Sequence, residues 1–137
     1  MIQLLFRVKN YSKPVNIGLL IVRVLTSVMM LTHGWPKFMR LLDGNLKFGD
    51  PIGIGSEVSF ILVVFAEFFC SILIIIGLGT RLATIPLIIT MLVALLIAHA
   101  SDPILDHTNI LTYIVCYIVF FFAGSGKYSL DYTLLRG

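Results

Sequence analysis

VSFILVVFAEFFCSILIIIGLGTRLATIPLIITMLVALLIAHA, residues 58–100, holds two long apolar runs separated only by GLGTR at 77–81. A hydrocarbon layer about 30 Å thick takes about 20 mostly apolar residues of helix to cross, and each run supplies that length. The link allows nothing but a tight turn, so the stretch predicts two antiparallel neighbouring helices, 58–78 and 82–100. Outward from this hairpin the pattern recurs. Upstream, a run at 15–38 opens after Pro14, a residue tolerated at a helix start because its missing N–H would be unpaired there. Downstream, a run at 108–124 ends at Gly124 and leaves the polar tail SGKYSLDYTLLRG. The segment 41–56, with Asp43, Gly44, Asn45, Gly49, Asp50 and Pro51, reads as loop, and Ser56 followed by Glu57 reads as a helix cap.

The expected fold is therefore all-α: one integral membrane domain over 1–137, a bundle of four helices. Composition agrees, since 58% of the residues are hydrophobic and only 12% charged, with a mean hydropathy of +1.01. Four spans leave no length for a soluble catalytic domain. The net charge of +3 does not imply nucleic acid, because the cations flank the apolar runs, where topology and anionic lipid account for them. Cys70 and Cys116 lie inside apolar runs, where thiols behave as small hydrophobes, so they do not report a redox compartment. The N-terminal run has no small-residue cleavage site after it and reads as an uncleaved signal anchor, with residues 1–12 as a short interfacial helix.

Lys and Arg near the span ends set the orientation. Arg7, Lys9, Lys13, Arg81, Lys127 and Arg136 fall on one side; Lys37, Arg40 and Lys47 fall on the other. The richer side is retained in the cytoplasm, which predicts both termini inside and a multi-pass protein of the bacterial inner membrane.

An ionised side chain at mid-bilayer costs at least about 2.5–3.5 kcal/mol, so each must face a partner or a wet cavity. Arg23 lies about 12 Å into the first span and Glu67 about 15 Å into the second from the opposite side, at about 1.5 Å per residue. One reading is a structural Arg23–Glu67 ion pair that locks two helices. The other makes Glu67 a proton-carrying or ligand-binding carboxyl. Towards the outer face, HGWPKFMR at 33–40 places His33 and Lys37 four apart on one helix face, with Gly34 leaving room for a close approach and Pro36 freeing a carbonyl. His99 closes the third span and His107 opens the fourth, so three imidazoles gather at one face. No metal-ligand spacing accompanies them; a hydrogen-bonding role is expected, not haem or a metal.

In order and spacing these elements resemble the DoxX family of small bacterial membrane proteins. The resemblance is carried by Arg23, His33-Gly34 with Lys37, Gly49, Glu67, Gly77-Leu78 with Thr80-Arg81, and His99. It extends to GSGKYSLD, which supplies Gly124, Gly126, Ser129 and Asp131, so that it covers about residues 16–132. It implies a four-helix membrane bundle linked to redox chemistry. Relatives look like subunits of thiosulfate:quinone oxidoreductases or partners of a superoxide dismutase and a sulfurtransferase in an oxidative-stress complex.

Two functions follow as expectations. The first is the membrane subunit of a quinone-linked or thiol-sulfur redox system, in which His33, Gly34, Lys37, Glu67 and His99 line a pocket and His33, His99 or Glu67 handles protons. No intrinsic cofactor is expected; a quinone, membrane lipid and a soluble or membrane redox partner protein are the expected ligands and partners. The second is a noncatalytic assembly, anchoring or chaperone-like protein, whose tail motif caps the bundle or holds a partner. A small transporter is a third reading, one that would need a homo-oligomer to enclose enough volume.

Overall fold

The computed structural model describes residues 2–98, 101, 103 and 107–135. Among these residues every regular element is a helix. A four-residue helix, α1 (Ile2–Leu5), precedes the long α2 (Lys13–Leu42). The second span is one continuous rod of three pieces: α3 (Ser56–Val64), a π-helical segment at Phe65–Cys70, and α4 (Ser71–Ile76). The third joins α5 (Thr80–Val93) to a second π-helical segment, Ala94–Ala98. Then come α6 (Thr108–Ala123) and a short terminal helix, α7 (Leu130–Leu135).

By length and apolarity α2, Ser56–Ile76 and Thr80–Ile97 each reach across a membrane, and α6 is a shorter apolar helix. The helix α2 has 30 residues, about 45 Å at 1.5 Å per residue, so it overshoots a 30 Å hydrocarbon layer. It starts two residues before the predicted 15–38 span and ends four after it, because polar residues such as Lys13 and Arg40 are free to be helical outside hydrocarbon. The expected interfacial helix over 1–12 shrinks to α1. Beyond it the chain is held irregular by side-chain bonds: Asn16 donates to Asn10 Oδ1 and the Tyr11 carbonyl at 2.9 Å each. The cap expected at Ser56 is also different. Ser56 is the first helical residue, and the carboxylate of Asp50 gathers the start of α3 by accepting from Ile54 N, Gly55 N and Ser59 Oγ at 3.0–3.2 Å.

The helices share one core. Met30, Ala66, Cys70, Ile74, Leu87, Met91 and Tyr117, drawn from α2, both pieces of the hairpin and α6, are buried together. A smaller cluster of Phe60, Val64 and Phe68 packs with Phe38 and Phe48 nearer the 43–55 loop. Outside, Leu25, Met29, Leu96, Val115 and Phe122 are each more than half exposed. Such a surface is costly in water and costs nothing against acyl chains.

One end of the bundle is sealed by the tail. Arg23, 2% exposed, donates to the carbonyls of Ser125 at 2.5 Å, Tyr128 at 2.7 Å and Ile75 at 3.4 Å. The Arg23–Glu67 ion pair expected from depth alone is therefore not formed. Depth along the helix axis does not fix direction, and the tail folding back beneath the bundle offers Arg23 carbonyls that would otherwise lie unpaired. Asp131 accepts from Gly79 N at 2.7 Å and Thr80 N at 3.2 Å, which caps α5 from a distant part of the chain. Gly77 turns the hairpin at φ +73° with Ser129 directly against it; a Cβ there would lie 2.4 Å from Ser129 Cβ. Ser129 itself accepts from Tyr132 N to start α7. Gly124 lies against the Arg81 guanidinium, and Gly126 against Leu19 and Asn16.

Removing the Asp131 carboxylate leaves two helix-start N–H groups without their acceptor, at about 1–3 kcal/mol. Asp131→Ala should lower the thermal midpoint in detergent, while Lys127→Ala, at an exposed side chain, should not. Equal midpoints would remove the tail from the stability of the bundle.

Candidate functional site

Away from the sealed end, the first and second spans touch through backbone. Gly34 on α2 faces Glu67 so closely that a Cβ would lie 2.6 Å from the Glu67 carbonyl oxygen and 3.0 Å from Phe68 N. That carbonyl belongs to the π-helical segment, where one extra residue per turn loosens the regular ladder and re-aims a side chain. Aromatic packing holds the approach: the Phe38 and Phe68 rings stack at 4.1 Å and 7°, with Trp35 6.0 Å from Phe68.

Lys37, one turn beyond Gly34, reaches across this contact, and its Nζ meets Glu67 Oε2 at 2.6 Å. The Glu67 side chain is 6% exposed and that of Lys37 27%. The partner of Glu67 is thus the cation four residues after His33, on the same helix as Arg23 but fourteen positions further on. Pairing lets both charges sit inside a bundle where a lone carboxylate would be expelled.

Cavities flank the pair on both sides. A larger one, about 510 Å³, is bounded by Lys37, Glu67, Thr90 and the loop from Phe48 to Pro51. This volume lies within the usual ligand-pocket range of about 300–1,000 Å³. An inner one, about 250 Å³, lies among α2, the π-helical segment, the third span and α6, and is lined by Lys37, Glu67, His33, Asn109 and Tyr113 together with apolar residues such as Met30 and Met91. Lys37 and Glu67 belong to both walls.

The inner cavity is unusual in its polar balance. His33, Asn109 and Tyr113 face it, and none has a hydrogen-bond partner among the described residues. The His33 imidazole meets the Tyr113 ring edge-on at 6.1 Å. Tyr113 is 8% exposed, while His33 and Asn109 lie at the bundle surface. Together they give the cavity a polar rim able to hydrogen-bond water or a polar ligand.

Of the residues singled out in the sequence, the structure brings His33, Gly34, Lys37 and Glu67 together, and leaves Arg23 at the opposite end with Gly124, Gly126, Ser129 and Asp131. His99 lies outside the described residues, so its place in the pocket and any pairing with His33 lie there too. His107 is buried at the start of α6. Among the described residues no cluster of three or more His, Cys, Asp or Glu has metal-holding geometry. Cys70 and Cys116 are free thiols. Sequence reading missed Asn109 and Tyr113. The signal was there in Asn109, Tyr113 and Cys116, polarisable residues at i, i+4 and i+7 of one helix face inside an apolar run.

Adding a methyl at Gly34 should force α2 off the π-helical segment. Gly34→Ala is expected to destabilise the protein by about 1–3 kcal/mol, whereas Gly18→Ala, on the same helix with nothing within 4 Å, should be neutral within about 0.5 kcal/mol. Thermal unfolding of the two variants side by side checks this; equal behaviour would mean that the helices do not touch at Gly34.

Comparison with known proteins finds relatives of this chain. The family model of DoxX matches residues 18–100, which include both sides of the Lys37–Glu67 pair. The Bacillus subtilis (strain 168) protein named "Putative oxidoreductase CatD" is 26% identical over 98 residues, 72% of each chain. An "Uncharacterized protein" of Haemophilus influenzae is 29% identical over 133 residues, covering 89% of this chain and 94% of that one. No solved structure matches. With more than half of its length matched by the family model, and with apolar helices of membrane-crossing length, this chain is a membrane protein that belongs to the DoxX family.

Proposed function

We propose that the chain is the membrane subunit of a redox system and that its inner cavity receives a quinone head group. The observation that carries this reading is the convergence of the His33, Asn109 and Tyr113 side chains, without hydrogen-bond partners among the described residues, on a cavity walled by the Lys37–Glu67 pair. A quinone presents two carbonyl acceptors at opposite edges of a flat apolar ring. Imidazole N–H, amide N–H and phenol O–H are donors suited to such acceptors, while Met30, Met91 and the Tyr113 ring offer it an apolar face. The likeness to a protein named as an oxidoreductase supports the redox assignment.

In this reading Lys37 holds Glu67 oriented beside the head group, and Glu67 stands between the inner cavity and the larger one under the 48–51 loop. Protons taken up or released by the head group then have a buried carboxylate and the His33 imidazole within the same walls. Electrons come from a soluble or membrane partner protein. The protein works in the bacterial cytoplasmic membrane as a multi-pass protein with both ends inside. The meeting of Tyr11, the 77–80 hairpin and the tail at one end of the bundle supports that topology, since Lys13, Arg81 and Lys127 collect on that side.

A noncatalytic assembly or anchoring role draws on a different observation: the tail motif is taken up in sealing the bundle, through Arg23 and Asp131. The two readings part on ligand binding. Purified protein in nanodiscs should bind a short-chain quinone saturably, and Lys37→Met, Glu67→Gln and Tyr113→Phe should each weaken binding about tenfold or more, a loss of about 1.4 kcal/mol. Absence of saturable binding, or equal binding by all four proteins, would remove the quinone and leave the noncatalytic role.

A further inference from the structure

A third cavity, about 240 Å³, lies in the groove between α2 and α6 and shares His33, Asn109 and Tyr113 with the inner one. Its remaining walls are Thr26, Met29 and Thr32 on α2 and Thr112 and Cys116 on α6. At about 1.5 Å per residue, the groove runs from His33 down to Thr26 over roughly 10 Å, parallel to the helix axes. Both helices are part of the apolar bundle, so at this depth the groove opens sideways to acyl chains and not to water. Thr32, His33, Asn109 and Thr112 are all exposed along it.

The groove is less polar than its composition. The Thr32 hydroxyl donates to Met29 O at 2.6 Å and that of Thr112 to Thr108 O at 2.7 Å. Each is therefore satisfied within its own helix, and both threonines can offer carbon to a guest. Met29 and Cys116 add apolar wall. Open hydrogen-bonding side chains stand where the groove meets the inner cavity, at His33, Asn109 and Tyr113. A slim apolar channel that ends on a polar chamber fits an amphiphile with a polar head and a linear tail.

We propose that the α2–α6 groove is a lateral doorway by which a lipid-soluble ligand enters from the bilayer, its head passing His33 and Asn109 into the inner cavity and its hydrocarbon tail remaining along Thr26, Met29 and Cys116. The inference rests on the quinone reading for the identity of the head, but not for the path of the tail. The groove, not the head-group chamber, sets the preference for tailed over tailless ligands.

The test uses the whole chain in nanodiscs and two photoreactive probes: a quinone with a ten-carbon chain ending in a diazirine, and a decyl amide carrying the same diazirine without a quinone head. Illumination should place the cross-links of the first on Met29, Cys116 and their neighbours. Thr112→Trp and, from the opposite wall, Met29→Trp should lower the affinity for the tailed quinone about tenfold. Both should leave a tailless benzoquinone within about twofold. Cross-links elsewhere, or an unchanged affinity in both variants with normal thermal midpoints, would overturn the doorway while leaving the chamber intact. If neither quinone binds, the head-group reading fails alone: labelling of the groove by the decyl amide, lost in Thr112→Trp, still supports the doorway, and its absence overturns that too.

Discussion

A carboxylate and an ammonium 2.6 Å apart, within a protein whose exterior is hydrocarbon, set the terms for everything else in this bundle. Neither ion tolerates that setting alone, and the pair tolerates it only because the first and second spans come close enough for Lys37 to reach. Closeness in turn depends on Gly34 having no side chain and on the π-helical segment presenting the Glu67 carbonyl to it. The cavities follow from the same arrangement: the two side chains, meeting end to end, form part of the wall of each.

The two ends of the bundle use ionisable residues differently. At the tail end Arg23 and Asp131 have structural tasks. Arg23 collects carbonyls from the tail and from the end of α4, and Asp131 supplies the N–H groups at the start of α5 with an acceptor. These bonds tie residues far apart in the chain. At the other end ionisable residues border cavities. His33, Asn109 and Tyr113 surround a space without satisfying one another.

The helical bundle was legible in the sequence because hydrocarbon imposes a length and a composition on any segment that crosses it, and the runs around GLGTR satisfy both. The site was legible only in part. His33, Gly34, Lys37 and Glu67 stand out because charge, imidazole and glycine are conspicuous in apolar runs, but the partner of Glu67 was not. Axial depth placed Arg23 level with Glu67, while the choice between Arg23 and Lys37 was made by the tail, whose carbonyls draw Arg23 the other way. A linear reading has no access to that fold-back. Nor does periodicity announce a π-helical turn, which here decides the direction in which Glu67 points. Asn109 and Tyr113 were hidden for a simpler reason: amide and phenol are ordinary near the end of a membrane helix, and only the cavity they share gives them significance.

The charge state of Glu67 in lipid bears most directly on this account. Infrared difference spectra of the native protein against Glu67→Gln, at neutral pH, separate an ionised carboxylate from a protonated acid by their distinct carbon–oxygen stretches. The ion pair predicts that the band lost in Glu67→Gln is that of a carboxylate, and that Lys37→Met converts it into that of a protonated acid. A protonated acid in the native protein, unchanged by removal of the Lys37 amine, would contradict the pairing on which the cavity walls and the proposed chemistry depend.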